Sequence, residues 1–67
     1  MTRKLKEQLI NERLSKQPLE AAIAQFSYLN NGKLKASTIK RHWKNRSLGN
    51  LFKQFDPKKY EIFIKSM

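Results

Sequence analysis

The chain has 67 residues, with 15 Lys plus Arg against 5 Asp plus Glu, one His and no Cys, for a formal charge of +10. A chain this short forms one domain, residues 1–67, and buries only about 60% of the surface its unfolded form exposes, which argues against a roomy enzyme pocket. Without Cys, and with His42 as its sole imidazole, it lacks the ligands for a disulfide or a typical zinc centre, so neither metal nor cofactor is expected.

Residues 3–16 are mostly good helix formers, and Leu5, Leu9, Ile10 and Leu14 make a wide apolar stripe interrupted by Lys6 and Arg13, which predicts a first helix. Pro18 suits a first helical turn, where its missing N–H costs nothing. Leu19, Ala22, Ile23, Phe26 and Leu29 then recur at helical spacing and predict a second helix over 18–30. Asn30-Asn31-Gly32 tolerate the left-handed conformation that ends a helix. Tyr28 falls opposite Leu19 and Phe26, near Ala21 and Ala24, on a small-residue face suited to receiving the first helix, the alternative for Tyr28 being an exposed contact role. Lys33-Leu34-Lys35 is too short for a helix and reads as a connector or one extended rung.

Ser37 or Thr38 can cap a third helix over 37–46, in which Ile39 and Trp43 share one face and Lys40, Arg41, Lys44 and Asn45 the other. Ser47 looks like the cap of a fourth helix over 48–55, where Leu48, Leu51, Phe52 and Phe55 repeat the apolar spacing. Together these stripes predict a core of Leu19, Ile23, Phe26, Ile39, Trp43, Leu51, Phe52 and Phe55. Residues 57–67 admit two readings. Asp56-Pro57 is a good helix start with Tyr60, Phe63, Ile64 and Met67 on one face, while residues 60–64 are also rich in strand formers.

Little in the chain suggests catalysis. His42 stands among Lys40, Arg41 and Lys44 with no carboxylate close in sequence to orient it, and reads as a helix-flank residue beside Trp43. Asp56 reads as turn or cap punctuation, and Gly32 and Gly49 are too isolated for a phosphate loop. No apolar run is long enough for a signal peptide or a membrane span, so a cytoplasmic protein with no membrane partner is expected.

Charge is the informative feature. No acidic residue occurs between Ala21 and Phe55, yet Lys33, Lys35, Lys40, Arg41, Lys44, Arg46 and Lys53 lie in that span. A solvated helix face normally interleaves both signs through pairs three or four residues apart. Cations facing one way instead neutralise phosphates and release condensed counterions. A helix, a break and a basic third helix is also the order of a helix-turn-helix unit, whose second helix lies in the DNA major groove. The expected reading surface is Lys33, Lys35, Ser37, Thr38, Lys40, Arg41, Lys44, Asn45 and Arg46. Duplex DNA is the first expected ligand and RNA the second, for a non-catalytic regulator of transcription or replication. A homodimer fits a small reader that needs two half-sites. The alternative is a basic inhibitor or antitoxin-type protein with an acidic protein as its partner.

Gly32-Lys33-Leu34-Lys35-Ala36-Ser37, and the stretch from Leu48-Gly49-Asn50-Leu51-Phe52 through Tyr60-Glu61-Ile62, resemble the OST-HTH (LOTUS) winged-helix domains. Those domains run from a G-x-L-x-x-S turn to an L-x-x-L-hydrophobic helix and an F-E-hydrophobic strand, and the similarity covers about half the chain. The resemblance implies RNA or protein binding on a winged-helix scaffold, with residues 60–64 as a strand paired to 33–35. The expected fold is therefore mainly α, a winged-helix or helix-turn-helix domain of about four helices with that short pairing; the alternative is a five-helix all-α bundle.

Overall fold

The computed structural model describes residues 2–67, and among them five α-helices follow one another with no strand. Thr2 caps α1 (Arg3–Lys16), its hydroxyl accepting from the Leu5 N–H at 3.2 Å. The helix ends at an extended Gln17, as expected before Pro18, whose ring disfavours helical geometry in the preceding residue. Next, α2 (Leu19–Phe26) stops a turn earlier than its apolar spacing predicts. The Leu29 N–H bonds back to the Phe26 carbonyl, Leu29 itself is extended, and Asn30, Asn31 and Gly32 form a 3-10 turn at positive φ of 53, 57 and 77°. That early stop swings Leu29 into the core instead of continuing the α2 stripe.

The remaining helices are α3 (Ala36–Lys44), α4 (Leu48–Phe55) and α5 (Pro57–Lys65). Neither Ser37 nor Thr38 caps α3: both lie inside its first turn, and the cap position falls to Lys35, with no side-chain hydrogen bond. Asp56 does cap α5, its carboxylate accepting from the Lys59 N–H at 3.3 Å with Pro57 at the first helical position. The strand pairing expected between residues 33–35 and 60–64 is not formed. A strand would place Tyr60, Ile62 and Ile64 on one face, whereas Tyr60 and Ile64 are buried and Ile62 is 67% exposed. Four-residue spacing satisfies the core, so the capped helix wins. The architecture is the five-helix all-α arrangement.

In the packing, α2 lies against α3 and α4 against α5, while α1 touches all four of the others. Of the expected core, Phe26, Ile39, Leu51 and Phe52 are buried; Leu19, Ile23, Trp43 and Phe55 are only half-buried. The interior is completed by Ile10, Leu14, Ala22, Leu29, Leu48, Tyr60 and Ile64. Leu5, expected on the apolar stripe of α1, is exposed. Phe52 is the aromatic centre, with ring centroids 5.5 Å from Phe26 and 5.7 Å from both Tyr60 and Phe63. Tilted and edge-on arrangements such as these suit the ring quadrupoles.

Polar contacts from α1 set its position against the α4–α5 pair. Ser47 occupies the cap position of α4 but makes no capping bond; the Asn11 carboxamide oxygen of α1 instead accepts from the Gly49 N–H at 2.6 Å. Gly49 is buried, and a Cβ there would stand 2.5 Å from that oxygen and 3.3 Å from Ile10 Cγ2. Close approach therefore demands glycine at this position. One turn earlier, the Glu7 carboxylate accepts from Lys53 Nζ at 3.2 Å and from the Tyr60 hydroxyl at 3.1 Å. The Lys53 bond, aided by the one from Tyr60, holds Glu7 below its ordinary pKa of 4.5. Burial, with help from Glu7, pushes the Tyr60 phenol up to about 12.

Two outcomes follow for stability. Ala ordinarily favours a helix over Gly by about 1 kcal/mol. Gly49→Ala should nevertheless destabilise the protein in denaturant titrations, because it displaces Asn11, and its cost should shrink in an Asn11→Ala background where the obstructing oxygen is gone. Against pH, the contribution of Glu7 is complete above about 4.5 and is lost as pH falls through its lowered folded value. That of Tyr60 is complete below 10 and is lost as pH rises towards about 12. The denaturation midpoint should be flat between these limits, and Tyr60→Phe should soften the alkaline decline.

Candidate nucleic-acid interface

The orientation of α3 follows from what holds it. Ile39 is fully buried, and successive residues turn by about 100°, so Ser37, Arg41 and Lys44 fall on the opposite side with Lys40 on the flank beside them. All four are exposed. Trp43 fixes the rotation: its indole N–H donates to the Gln17 carbonyl at 2.9 Å, and its own carbonyl accepts from the Ser15 hydroxyl at 3.0 Å. The expected core tryptophan is thus a half-buried clasp joining α3 to the end of α1. His42, also half-buried, sets its Nδ1 2.8 Å from the Ser47 hydroxyl at the start of α4.

The other expected contact residues distribute around that stripe. Lys33 and Lys35 are exposed in the connector leading into α3. Thr38, half-buried, and Asn45, exposed just past the last turn, lie on one flank of the stripe. Arg46 takes a left-handed φ of 55° and lines a recess with Glu12, Ser15 and Lys16 of α1, so it faces away from the stripe. Arg41 and Lys44 stand in the last turn of α3, where cations complement the helix dipole.

Electrostatic balance is uneven across the molecule. Among the described residues two ion pairs form, Arg3 with Glu61 and Lys53 with Glu7, both involving α1. Asp56 is engaged by the Tyr28 hydroxyl, which donates at 2.7 Å. That bond, with the α5 cap, holds the Asp56 carboxyl below its usual range. Two of the five acids are thereby ion-paired and a third hydrogen-bonded at the α1–α4–α5 side, and no ion pair among the described residues reaches Lys33, Lys35, Lys40, Arg41, Lys44 or Arg46. Lys53, which shares the acid-free span in sequence, is withdrawn from that surface by Glu7.

Sequence spacing placed Tyr28 on a face receiving α1. It lies instead beyond the end of α2, 45% exposed, with Lys59 Nζ 4.9 Å from its ring centroid. The signal for this was the Asn30-Asn31-Gly32 stop, whose turn begins before the glycine. No group of three or more His, Cys, Asp or Glu side chains among the described residues is placed to hold a metal ion. Nor is any described helix long and apolar enough to cross a membrane. No family model, curated protein or solved structure matches the chain.

Replacing Lys40, Arg41 and Lys44 together with Ala removes three exposed cations that form no ion pair among the described residues and leaves strong helix formers. Thermal stability should hold or rise, and the parent should melt higher in moderate salt than in low salt, because screening relieves the same repulsion. Trp43→Phe should instead lose about 1 kcal/mol with the Gln17 hydrogen bond. Circular dichroism melts of the parent at two salt concentrations and of both variants check the assignment.

Proposed function

We propose that this chain is a non-catalytic nucleic-acid-binding domain of the cytoplasm, a regulator of transcription or replication that docks duplex DNA against the exposed face of α3. The observation that carries this reading is the stripe of Lys40, Arg41 and Lys44 beside Ser37, flanked by Lys33 and Lys35 and balanced by no acid among the described residues. An α-helix with its side chains is about 10–12 Å across, and the major groove is about 12 Å wide, so α3 fits as an inserted element. The order α2, connector, α3 is that of a helix-turn-helix whose connector, residues 27–35, is longer than the usual turn, with Trp43 holding the second helix at a fixed rotation. Lys and Arg would supply phosphate contacts, and Ser37, Thr38 and Asn45 would supply hydrogen bonds to phosphate or base edges. A second copy on an adjacent half-site would add affinity and specificity. RNA is the second ligand of the same cationic surface.

Titration of the full chain with duplex DNA, single-stranded DNA and RNA at several salt concentrations tests the reading. With about five phosphates neutralised, log K against log salt should slope at about −4 to −5 for the duplex. The Lys40, Arg41 and Lys44 triple Ala variant should flatten the slope to about −2. Binding that ignores salt, or a triple variant that binds like the parent, contradicts the proposal. Clean capture of one acidic protein with no nucleic-acid affinity would place the chain among basic inhibitors.

A further inference from the structure

The chain holds a recess that the duplex-binding reading does not use. It is lined by Tyr28, Leu29, Asn30, Asn31 and Phe55, at the junction of the α2–α3 turn with the end of α4. We propose that this recess takes one unpaired nucleobase from a single-stranded segment adjoining the bound duplex, a proposal that rests on the nucleic-acid reading above.

Tyr28 offers an exposed aromatic ring in a fixed pose. Its hydroxyl is tethered to Asp56 Oδ2, so the group presented to solvent is the ring and not a free donor. Asn30 and Asn31, both exposed, are among its lining residues, and a carboxamide is the side chain best matched to the donor and acceptor edges of a base. The surroundings favour an anionic strand. Lys58 and Lys59 are exposed, Lys59 lies over the Tyr28 ring, and Lys33 follows the turn by one residue on the way to α3. Asp56, the nearby acid, accepts from Tyr28 and from the Lys59 N–H and keeps its charge, which the Lys58 and Lys59 ammonium groups offset. An aromatic platform beside cations is the chemistry that binds single strands, with stacking tolerant of base identity. A strand leaving the duplex at α3 would pass Lys35 and Lys33 before its first free base reaches the recess.

The test compares a blunt DNA duplex with the same duplex carrying a short single-stranded tail. The parent should bind the tailed probe about tenfold more tightly. Tyr28→Leu should abolish that gain and leave blunt-duplex affinity unchanged, while Tyr28→Phe, which keeps the ring, should retain most of it. In the parent itself the NMR signals of the Tyr28 ring protons should shift with the tailed probe and not with the blunt one, a readout that needs no variant to fold. Absence of a tail preference, a gain that survives Tyr28→Leu in a folded variant, or unmoved Tyr28 signals overturns the inference while duplex binding stands. A parent that binds neither probe contradicts the proposed function as well.

Discussion

The fold depends on how α1 is buried. Helices α2 to α5 are eight or nine residues long. Isolated helices below about 12–15 residues are marginal in water, so each of these must be held by its neighbours. The neighbour common to all four is α1, which contributes Ile10 and Leu14 to the core and little other apolar surface. The rest of its inward face is polar. Glu7, Asn11 and Ser15 share a helical face with Ile10 and Leu14, and each makes a specific bond to a different partner: Glu7 to Lys53 and Tyr60, Asn11 to the Gly49 N–H, Ser15 to the Trp43 carbonyl. Apolar burial supplies the attraction, and these bonds fix the registration of α1 along α3, α4 and α5.

That same registration divides the charge. By drawing Lys53 and Tyr60 to Glu7 and Arg3 to Glu61, the α1–α4–α5 side occupies acids that could otherwise offset the basic span. The cations of α3 then face solvent with no ion-pair partner among the described residues. Stability and proposed function therefore meet in α1: contacts that hold the core together are also the ones that keep the cationic face unbalanced. Trp43 extends the coupling, because the hydrogen bond that attaches α3 to Gln17 also determines which of its residues point outward.

Residue type and local spacing determined a good deal. The boundaries of α1 and α4 are as the sequence predicts, those of α3 lie within two residues, and the acid-free basic span is a property of composition along the chain. The Asn30-Asn31-Gly32 stop was legible too, since left-handed backbone is a local preference of those residues. All of these are decided within one or two helical turns, by propensity, capping and periodicity.

Tertiary structure decided what local spacing leaves open. Apolar periodicity under-read α1, because half of its inward face is polar and earns its place through bonds to residues 28 to 53 positions away. Residues 57–67 suit either a helix or a strand until Tyr60 and Ile64 are needed on the core side with Ile62, between them, facing solvent. Likewise Trp43 and Phe55 share stripes with buried residues yet stay at the rim, and Tyr28 leaves α2 for Asp56. In each case the deciding energy lies in a contact between residues far apart in the chain, and such contacts exist only after the helices have packed.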